Sequence, residues 1–210
     1  MHKLAFKFRA NVYGRNQHCG QLTKIVVDPN TWQLTDLIVE DGLFFKQAIV
    51  LPIFQVEDTL GQTVNLKIDR DQLKEFQAYG ETIVEEGASD WPAIKAVGEI
   101  ENMSLPAANN PIPTLKREKT RLGVSNDALI LNDNTIVTCL EGSLGHLSHV
   151  IVDAQSRLIS DLVFEKGKLL PKQYIVSTNF VDSLGETVTQ IAHTRSEADQ
   201  LPEYAFPYHR

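Results

Sequence analysis

The chain has 210 residues, 42% hydrophobic residues and a formal net charge of −7, a composition typical of soluble globular proteins. No stretch approaches the roughly 20 apolar residues that a membrane-spanning helix needs, and residues 1–14 alternate polar and apolar side chains, unlike the apolar core of a signal peptide. We therefore expect a cytoplasmic protein without an integral membrane segment. An acidic chain without a long basic face is also a poor general ligand for nucleic acid.

The first eighty residues predict a series of short β-strands. The predicted strands are rich in Val, Ile, Thr and Phe and lie at residues 4–12, 21–28, 33–40, 44–52 and 63–68. Asp28-Pro29-Asn30 and Glu40-Asp41-Gly42 supply turns, because Pro presets φ and Gly tolerates positive φ. Short strands at regular spacing indicate a small antiparallel sheet or barrel.

Residues 81–126 predict a long, partly irregular connector that changes character along its length. It begins with an acidic run, continues with a proline-rich stretch, and ends with a basic cluster formed by Lys116, Arg117, Lys119 and Arg121. Trp91 indicates that part of the connector docks on a folded unit. A connector of this length within a compact protein is usually functional or disordered.

The strand pattern resumes after the connector. The predicted strands of this region lie at residues 129–131, 135–139, 145–153, 158–165, 169–177 and 187–192. The chain is therefore predicted to contain a first unit at 1–80, a connector at 81–126, and a second unit at 127–210.

An internal repeat relates the two units. Residues 20–42 align with residues 145–167 without a gap, at a constant offset of 125. The repeated glycines and aspartates, which we interpret as structural positions, are Gly20 and Gly145, Asp28 and Asp153, Asp36 and Asp161, and Gly42 and Gly167. The repeat predicts two small antiparallel β-barrels that arose by internal duplication.

Beyond this block the repeat is predicted to continue with a one-residue deletion. That deletion matches Gly61 with Gly185, and a further shift matches residues 71–76 with residues 199–204. In this alignment Phe76 and Tyr204 are equivalent, and we expect each to pack on an open end of its barrel.

Two patterns of polar residues invite a catalytic or metal-binding interpretation. His146 and His149 are three residues apart on a predicted strand, so they should face opposite sides of the sheet and should not chelate one ion. The carboxylates of Asp36 and Glu40, and of Asp161 and Glu165, should lie roughly 13 Å apart along their strands. Glycosidases use shorter spacings, so a structural role is the expectation for both pairs.

The two cysteines also suggest no chemistry. Cys19 lies beside His18, but adjacent strand residues point to opposite faces, so a direct Cys–His bond is not expected. Cys19 and Cys139 occupy non-equivalent places in the repeat, which favours free thiols in a reducing compartment. Residues 142–145 lack the pattern of a nucleophile elbow, and no phosphate-binding glycine loop is present. We predict no enzymatic activity, no cofactor and no metal.

The basic cluster is the main candidate for partner binding. Its four cations could contact RNA phosphate, an acidic protein surface or anionic lipid. The simpler interpretation is a solvated linker that compensates the acidic run before it. The cluster lacks interleaved aromatic residues for base stacking, and alanine at all four basic positions is expected to leave folding intact.

The repeated block resembles the PRC-barrel family. The resemblance rests on a glycine that opens a strand, an apolar strand that ends in Asp (KIVVD, HVIVD), and a strand that ends in an acidic-Gly turn (LTDLIVEDG, ISDLVFEKG). An extended strand follows (FFKQAIVLP, LLPKQYIVS), and then a valine-bearing segment. Pro52 closes the extended strand as is usual in the family, whereas the second unit has Ser177 there.

The resemblance implies five or six strands per barrel and a binding or scaffold role. A non-enzymatic protein-interaction module is the leading expectation. The ribosome maturation factor RimM suggests RNA or ribosome association, and the photosynthetic reaction-centre H subunit suggests a membrane-peripheral electron-transfer partner. A ligand site between the barrels and a homo-oligomer stay open as alternatives.

Overall fold

A computed structural model of the protein describes residues 2–15, 17–40, 48–86, 116–167 and 170–205. We call residues 2–86 the first half and residues 116–205 the second half. The predictions that concern Gly42, Trp91 and the middle of the connector lie outside the described residues, as do the side chains of residues 83–86 and 116–120. The described chain is mostly β-structure, in agreement with the predicted strands.

Eight strands lie in the first half. They are β1 (Lys3–Lys7), β2 (Asn11–Tyr13), β3 (His18–Val27), β4 (Leu34–Glu40), β5 (Ala48–Pro52), β6 (Val56–Leu60), β7 (Thr63–Leu66) and β8 (Ala78–Glu86). Short 3-10 turns follow β5 at Ile53–Gln55 and β7 at Arg70–Glu75. The predicted strand at residues 4–12 is interrupted at Arg9, whose φ of 64° turns the chain between β1 and β2.

Eight strands are also described in the second half. They are β9 (Lys116–Leu122), β10 (Leu129–Asn132), β11 (Ile136–Cys139), β12 (Gly142–Asp153), β13 (Ile159–Lys166), β14 (Lys172–Ser177), β15 (Val181–Ser183) and β16 (Val188–Ile191). A 3-10 turn spans Thr178–Phe180, and one helical turn, α1, spans Arg195–Ala198. Strands β6, β8, β9 and β15 were not predicted from the sequence.

The strands form two mixed sheets. One sheet has the order β6-β7-β2-β3-β4-β5-β8-β9, and the other has the order β14-β13-β12-β11-β16-β15. Most neighbours are antiparallel, but β2 pairs with β7 and β11 pairs with β16 in parallel. The expectation of purely antiparallel sheets was therefore wrong. Over the described residues, neither hydrogen-bonded path closes into a barrel.

Two strands at equivalent positions, β1 and β10, each pair with the other half. Strand β1 adds to β12, and β10 adds to β3, in both cases antiparallel. The registers correspond at an offset of 125, because Phe6 faces Val150 and Leu131 faces Ile25. The sheet of the second half therefore contains β1 from the first half, and the sheet of the first half contains β9 and β10 from the second half.

A pair of equivalent turns joins the halves at a second place. The Leu34 N–H donates to the Arg157 carbonyl at 3.0 Å, and the Ile159 N–H donates to the Trp32 carbonyl at 3.1 Å. Trp32 and Arg157 both adopt positive φ, of 57° and 62°. The two bonds are reciprocal, as across a local two-fold axis.

One hydrophobic core runs through both halves. It includes Phe6 and Leu22 from the first half and Leu131 and Phe164 from the second, and the four side chains are fully buried. Because β1 and β10 carry buried residues into the opposite sheet, the halves bury apolar surface together. A small second cluster, built on Val26, Ile38 and Ile130, lies apart from this core.

The structural correspondence keeps the offset of 125 to the end of each half. Asn11 pairs with Thr63, and Ile136 pairs with Val188, so the predicted deletion near Gly61 was wrong. The capping boxes agree, because Asp69 and Thr194 are the N-caps and Gln72 and Glu197 are their partners. At this offset the equivalent of Tyr204 is Tyr79 rather than Phe76.

Candidate functional site

Strands β8 and β9 form a two-stranded ribbon out of the two ends of the predicted connector. Their register places Glu81 opposite Arg121, Glu85 opposite Arg117, and Glu86 opposite Lys116. The acidic run and the basic cluster therefore lie side by side, where opposite charges stabilise strand pairing. The ribbon contains four basic and four acidic residues, so its formal charge is zero.

Arg121 lies at the base of the ribbon, where its side chain is only 5% exposed. The guanidinium donates to the carboxylate of Glu186 and to the carbonyls of Ala128 and Asn126, the last at 3.2 Å. Its Nε is 3.9 Å from Oε1 of Glu81, which is close enough for charge attraction but too long for a hydrogen bond. Arg121 therefore departs from the expectation of a solvated basic residue.

Glu186 holds the loop before β16 against Arg121 at the base of the ribbon. Its Oε1 accepts from the Ile130 N–H at 3.0 Å as well as from Arg121. The Thr135 hydroxyl donates to its backbone carbonyl at 2.6 Å, and Thr135 is fully buried. Through Glu186 the base of the ribbon is bound to β10 and to the loop before β11.

Lys24 and Tyr79 complete this group of side chains. The Lys24 Nζ lies 3.4 Å from Oε2 of Glu81 and 4.8 Å from the centre of the Tyr79 ring. The Tyr79 hydroxyl donates to Glu81. Burial, followed by the hydrogen bond to Glu81, raises the pKa of Tyr79 well above its usual range, so the phenol stays protonated. We call Lys24, Tyr79, Glu81, Arg121 and Glu186 the base cluster.

The base cluster has the chemistry of an anchor. Two cations and two carboxylates neutralise one another, and partly buried charges that are paired and hydrogen-bonded hold a geometry that neither half could keep alone. A cavity of about 160 Å³ beside it is lined by Lys24, Glu81, Glu186 and their neighbours. A second polar groove, of about 440 Å³, runs along Arg9 and Glu40 and shares Lys24 and Asn134 with the first.

The equivalent place in the second half is built differently. His149 stands where the first half has Lys24, and it meets the Tyr204 ring at 5.2 Å between ring centres. His149 is fully buried. Burial, with the nearby charge of Lys7, lowers the pKa of His149 to about 3. The same backbone position thus carries a charged side chain in one half and a neutral one in the other.

The structure also shows where the predicted histidines and cysteines lie. His146 is exposed and His149 is buried. A β-bulge between Leu147 and His149 aligns His146 with Glu165 and His149 with Val163, so the two histidines lie on the same face of the sheet and the prediction of opposite faces was wrong. Cys19 and Cys139 are both buried, and neither takes part in a disulfide. Within the described residues, no group of three or more His, Cys, Asp or Glu side chains is arranged to hold a metal ion.

Two of the repeated aspartates shape equivalent turns. Asp28 accepts hydrogen bonds from the Asn30 and Thr31 N–H groups at 2.8 and 3.3 Å. Asp153 accepts from the Gln155 and Ser156 N–H groups at 3.1 and 2.8 Å. These backbone hydrogen bonds lower the pKa of both carboxyls, which keeps them ionised as turn-forming acceptors.

The other pair of repeated aspartates differs between the halves. Asp161 forms an ion pair with Lys3 at 2.7 Å and accepts from the Ser160 hydroxyl at 2.7 Å. Asp36 instead lines an open cavity of about 470 Å³, together with Ala128 and Gly123.

The described repeated glycines hold positions that a side chain would disturb. A Cβ at Gly145 would lie 1.9 Å from the Glu165 carbonyl oxygen, which is far inside contact distance. Gly20 adopts a φ of 134°, which other residues rarely reach. Gly167 directly follows β13 with a φ of 109°.

Arg121 was predicted from the sequence as a candidate binding residue, but its partners were not. Lys24, Tyr79 and Glu186 gave no local signal, since each is an ordinary polar residue near a strand. The offset of 125 between Tyr79 and Tyr204 was the one available clue, and the predicted deletion concealed it.

No family model matches the chain, and no curated protein has a similar sequence. No helix within the described ranges has the length and apolar character needed to cross a lipid bilayer.

Proposed function

We propose that the protein is a non-enzymatic, cytoplasmic interaction module made of two PRC-barrel-type units that arose by duplication. The resemblance in the repeated block supports the family. The strand pairings and capping boxes that recur at an offset of 125 support the duplication. The ribbon is the part that binds a protein partner.

The observation that carries this proposal is the charge register of the ribbon. Each strand presents several charges, and Glu85 and Glu86 oppose Arg117 and Lys116. A ribbon whose register sets acidic residues opposite basic ones selects a partner with the complementary pattern, which gives specificity more than raw affinity. The base cluster holds one end of the ribbon against both halves and so reduces the ordering cost of binding.

The same register disfavours RNA as the principal partner. Binding to a phosphate backbone needs unopposed cations, and each phosphate contact steepens the loss of binding as salt rises. The basic strand β9, which has four cations and one carboxylate, pairs with β8, which has three carboxylates, so the net charges of the two strands cancel. Capture with and without nuclease therefore distinguishes association with ribosomal RNA from binding to a protein.

The test uses a full-length tagged protein and a matched pair of variants. The first variant reverses one strand, with Lys116→Glu and Arg117→Glu. The second reverses both strands, with Glu85→Arg and Glu86→Lys added, so that cross-strand pairing and net charge are kept while the pattern is inverted. Both are compared with the wild type by affinity capture from the host lysate, with and without nuclease, and by thermal unfolding.

We expect the doubly reversed variant to unfold like the wild type and to lose the captured protein partners. Capture that is unchanged in this variant would contradict binding through the ribbon. A set of partners that disappears after nuclease treatment would favour the RNA alternative. Recovery of the partner only in a membrane pellet would favour the membrane-peripheral alternative.

A further inference from the structure

The two halves differ in whether the carboxylate of one repeated aspartate has a lysine as its partner. In the second half, Asp161 binds the ammonium of Lys3 at 2.7 Å. Lys3 is the first residue of β1, and we call β1 and β10 the exchanged strands because each pairs with the other half. The side chain of Asp161 is 15% exposed in this pair. At the offset of 125, the equivalent of Asp161 is Asp36 and the equivalent of Lys3 is Ala128. The first half therefore keeps the carboxylate but replaces the lysine with a methyl group.

The strand registers confirm that the two places correspond. Asp36 pairs with Val26 of β3, and Asp161 pairs with Ile151 of β12. The exchanged strands then continue the correspondence, because Ile130 pairs with Val26 just as Ala5 pairs with Ile151. A lysine at position 128 would therefore approach Asp36 along the path that Lys3 takes to Asp161.

A cavity lies beside Asp36 and Ala128, where the first half has no lysine. It measures about 470 Å³ and is formed by the turn after β3, the start of β4 and the loop that leads to β10. Three carboxylates, those of Asp28, Asp36 and Asp127, lie among its lining residues. The described residues that line it include no lysine, arginine or histidine, so its charge is negative.

We propose that this cavity binds a primary alkylammonium group, supplied by a lysine side chain of the protein partner, with Asp36 as the acceptor. The second half shows the bound arrangement, with the protein's own lysine on the equivalent aspartate. The aliphatic stem of the incoming lysine packs on Val26, Val124 and Ala128, which border the cavity, because lysine side chains bury their methylene groups along apolar surface. This inference rests on the proposed protein-binding function and adds the chemistry of the partner.

The main test titrates isotopically labelled full-length protein with Nα-acetyl-lysine methylamide and follows the backbone amide signals by NMR. We expect saturable shifts at Asp36, Gly123 and Ala128, with half-saturation in the millimolar range, since one partly exposed ion pair contributes little affinity. The norleucine analogue, which lacks the ammonium, should not saturate. Asp36→Asn should weaken lysine binding by roughly fivefold or more.

Two further variants exchange the arrangements of the halves. Ala128→Lys should fill the cavity from within, abolish the titration, and raise Tm by about 1–3 °C. Lys3→Ala should create a second binding site at Asp161. No saturable shift in the wild type, or unchanged binding in Asp36→Asn, would overturn the proposal. Tighter binding of putrescine than of the lysine amide would overturn the assignment to a protein lysine.

These results separate the inference from the proposed function. The titration uses only the purified protein and an amine, so it can fail while the ribbon variants still lose their partners. Conversely, an ammonium site that responds as described would stand even if the captured partners did not depend on the ribbon.

Discussion

The two halves share a backbone but use different chemistry at equivalent positions. Lys24 in the first half belongs to a charged cluster, whereas His149 in the second half is a buried neutral ring. Asp161 is paired with Lys3, whereas Asp36 lines an open cavity. The strand registers are the same in both, so this fold depends on its apolar positions and tolerates change at its polar ones. Function is therefore to be sought where the halves differ.

The largest expected effect comes from a feature that the halves share, the exchanged strands. Phe6 and Leu131 are equivalent and fully buried. Phe6→Ala should cost about 3–5 kcal/mol and Leu131→Ala about 2–5 kcal/mol, because each leaves a cavity in one common core. Denaturant unfolding should show a single transition that both variants shift.

Two separately folded barrels would give a different result. Each substitution would then move only one of two transitions. Leu60→Ala is the control, because Leu60 is 55% exposed and its loss should change stability by no more than about 0.5 kcal/mol.

The second prediction concerns backbone approach at a repeated glycine. Gly145→Ala places a methyl group 1.9 Å from the Glu165 carbonyl oxygen, so β12 and β13 must separate at a cost of about 3 kcal/mol. Gly80→Ala is the matched control in β8, where the nearest side-chain atom would lie 3.6 Å away. There alanine should be neutral or stabilising by up to about 1 kcal/mol. Equal losses in the two variants would contradict this explanation.

The third prediction tests the base cluster, which joins the two halves and has no counterpart around His149. Arg121→Ala leaves Glu186 and Glu81 without their shared cation and should cost about 2 kcal/mol, less than a fully buried pair because both carboxylates keep some solvent contact. Arg9→Ala removes an exposed ion pair with Asp133 and should cost less than about 1 kcal/mol. Similar stabilities for the two variants, by thermal unfolding, would show that Arg121 is no anchor.

The fourth prediction concerns pH and the buried histidine of the second half. Because the pKa of His149 falls to about 3 in the folded protein, only the unfolded chain takes up this proton as the pH drops below about 6.5. The buried neutral His149 therefore causes no loss in the free energy of unfolding above about pH 6.5, and the loss grows as the pH falls from there toward the folded pKa. At about pH 5 the loss should be about 2 kcal/mol relative to about pH 7.5.

His149→Leu should remove that part of the pH dependence, as measured by urea unfolding at the two pH values. His146→Leu is the control, because His146 is exposed. A pH dependence of stability that is the same in His149→Leu as in the wild type would assign the acid sensitivity to other groups.

The smallest expected effect comes from the ion pair between Lys3 of the first half and Asp161 of the second, which has no counterpart at Asp36. Lys3→Ala should destabilise the protein by about 0.5 kcal/mol, because the ammonium is half exposed. The double variant with Asp161→Asn should show no further loss if the two side chains act on one another. Additive losses in this cycle would show that the pair contributes no coupling.

Much of the local structure could be predicted from the sequence. Alternation of apolar residues and the turn signals located β3, β4, β7 and most strands of the second half to within a few residues. The repeat predicted that the halves would share their pairings. The strands β8 and β9 were missed because their residues are mostly charged, and a charged strand is stabilised by its partner across the ladder rather than by a buried face.

The sequence by itself determined the strand rhythm, the turns at Asp28 and Asp153, and the correspondence of the halves, because these depend on neighbouring residues and on the offset of the repeat. Only the tertiary structure decided that β1 and β10 change places, that Arg121 is buried, and that Lys3 reaches Asp161. Those contacts join residues as many as 158 positions apart, and no local pattern encodes which partner lies across such a distance.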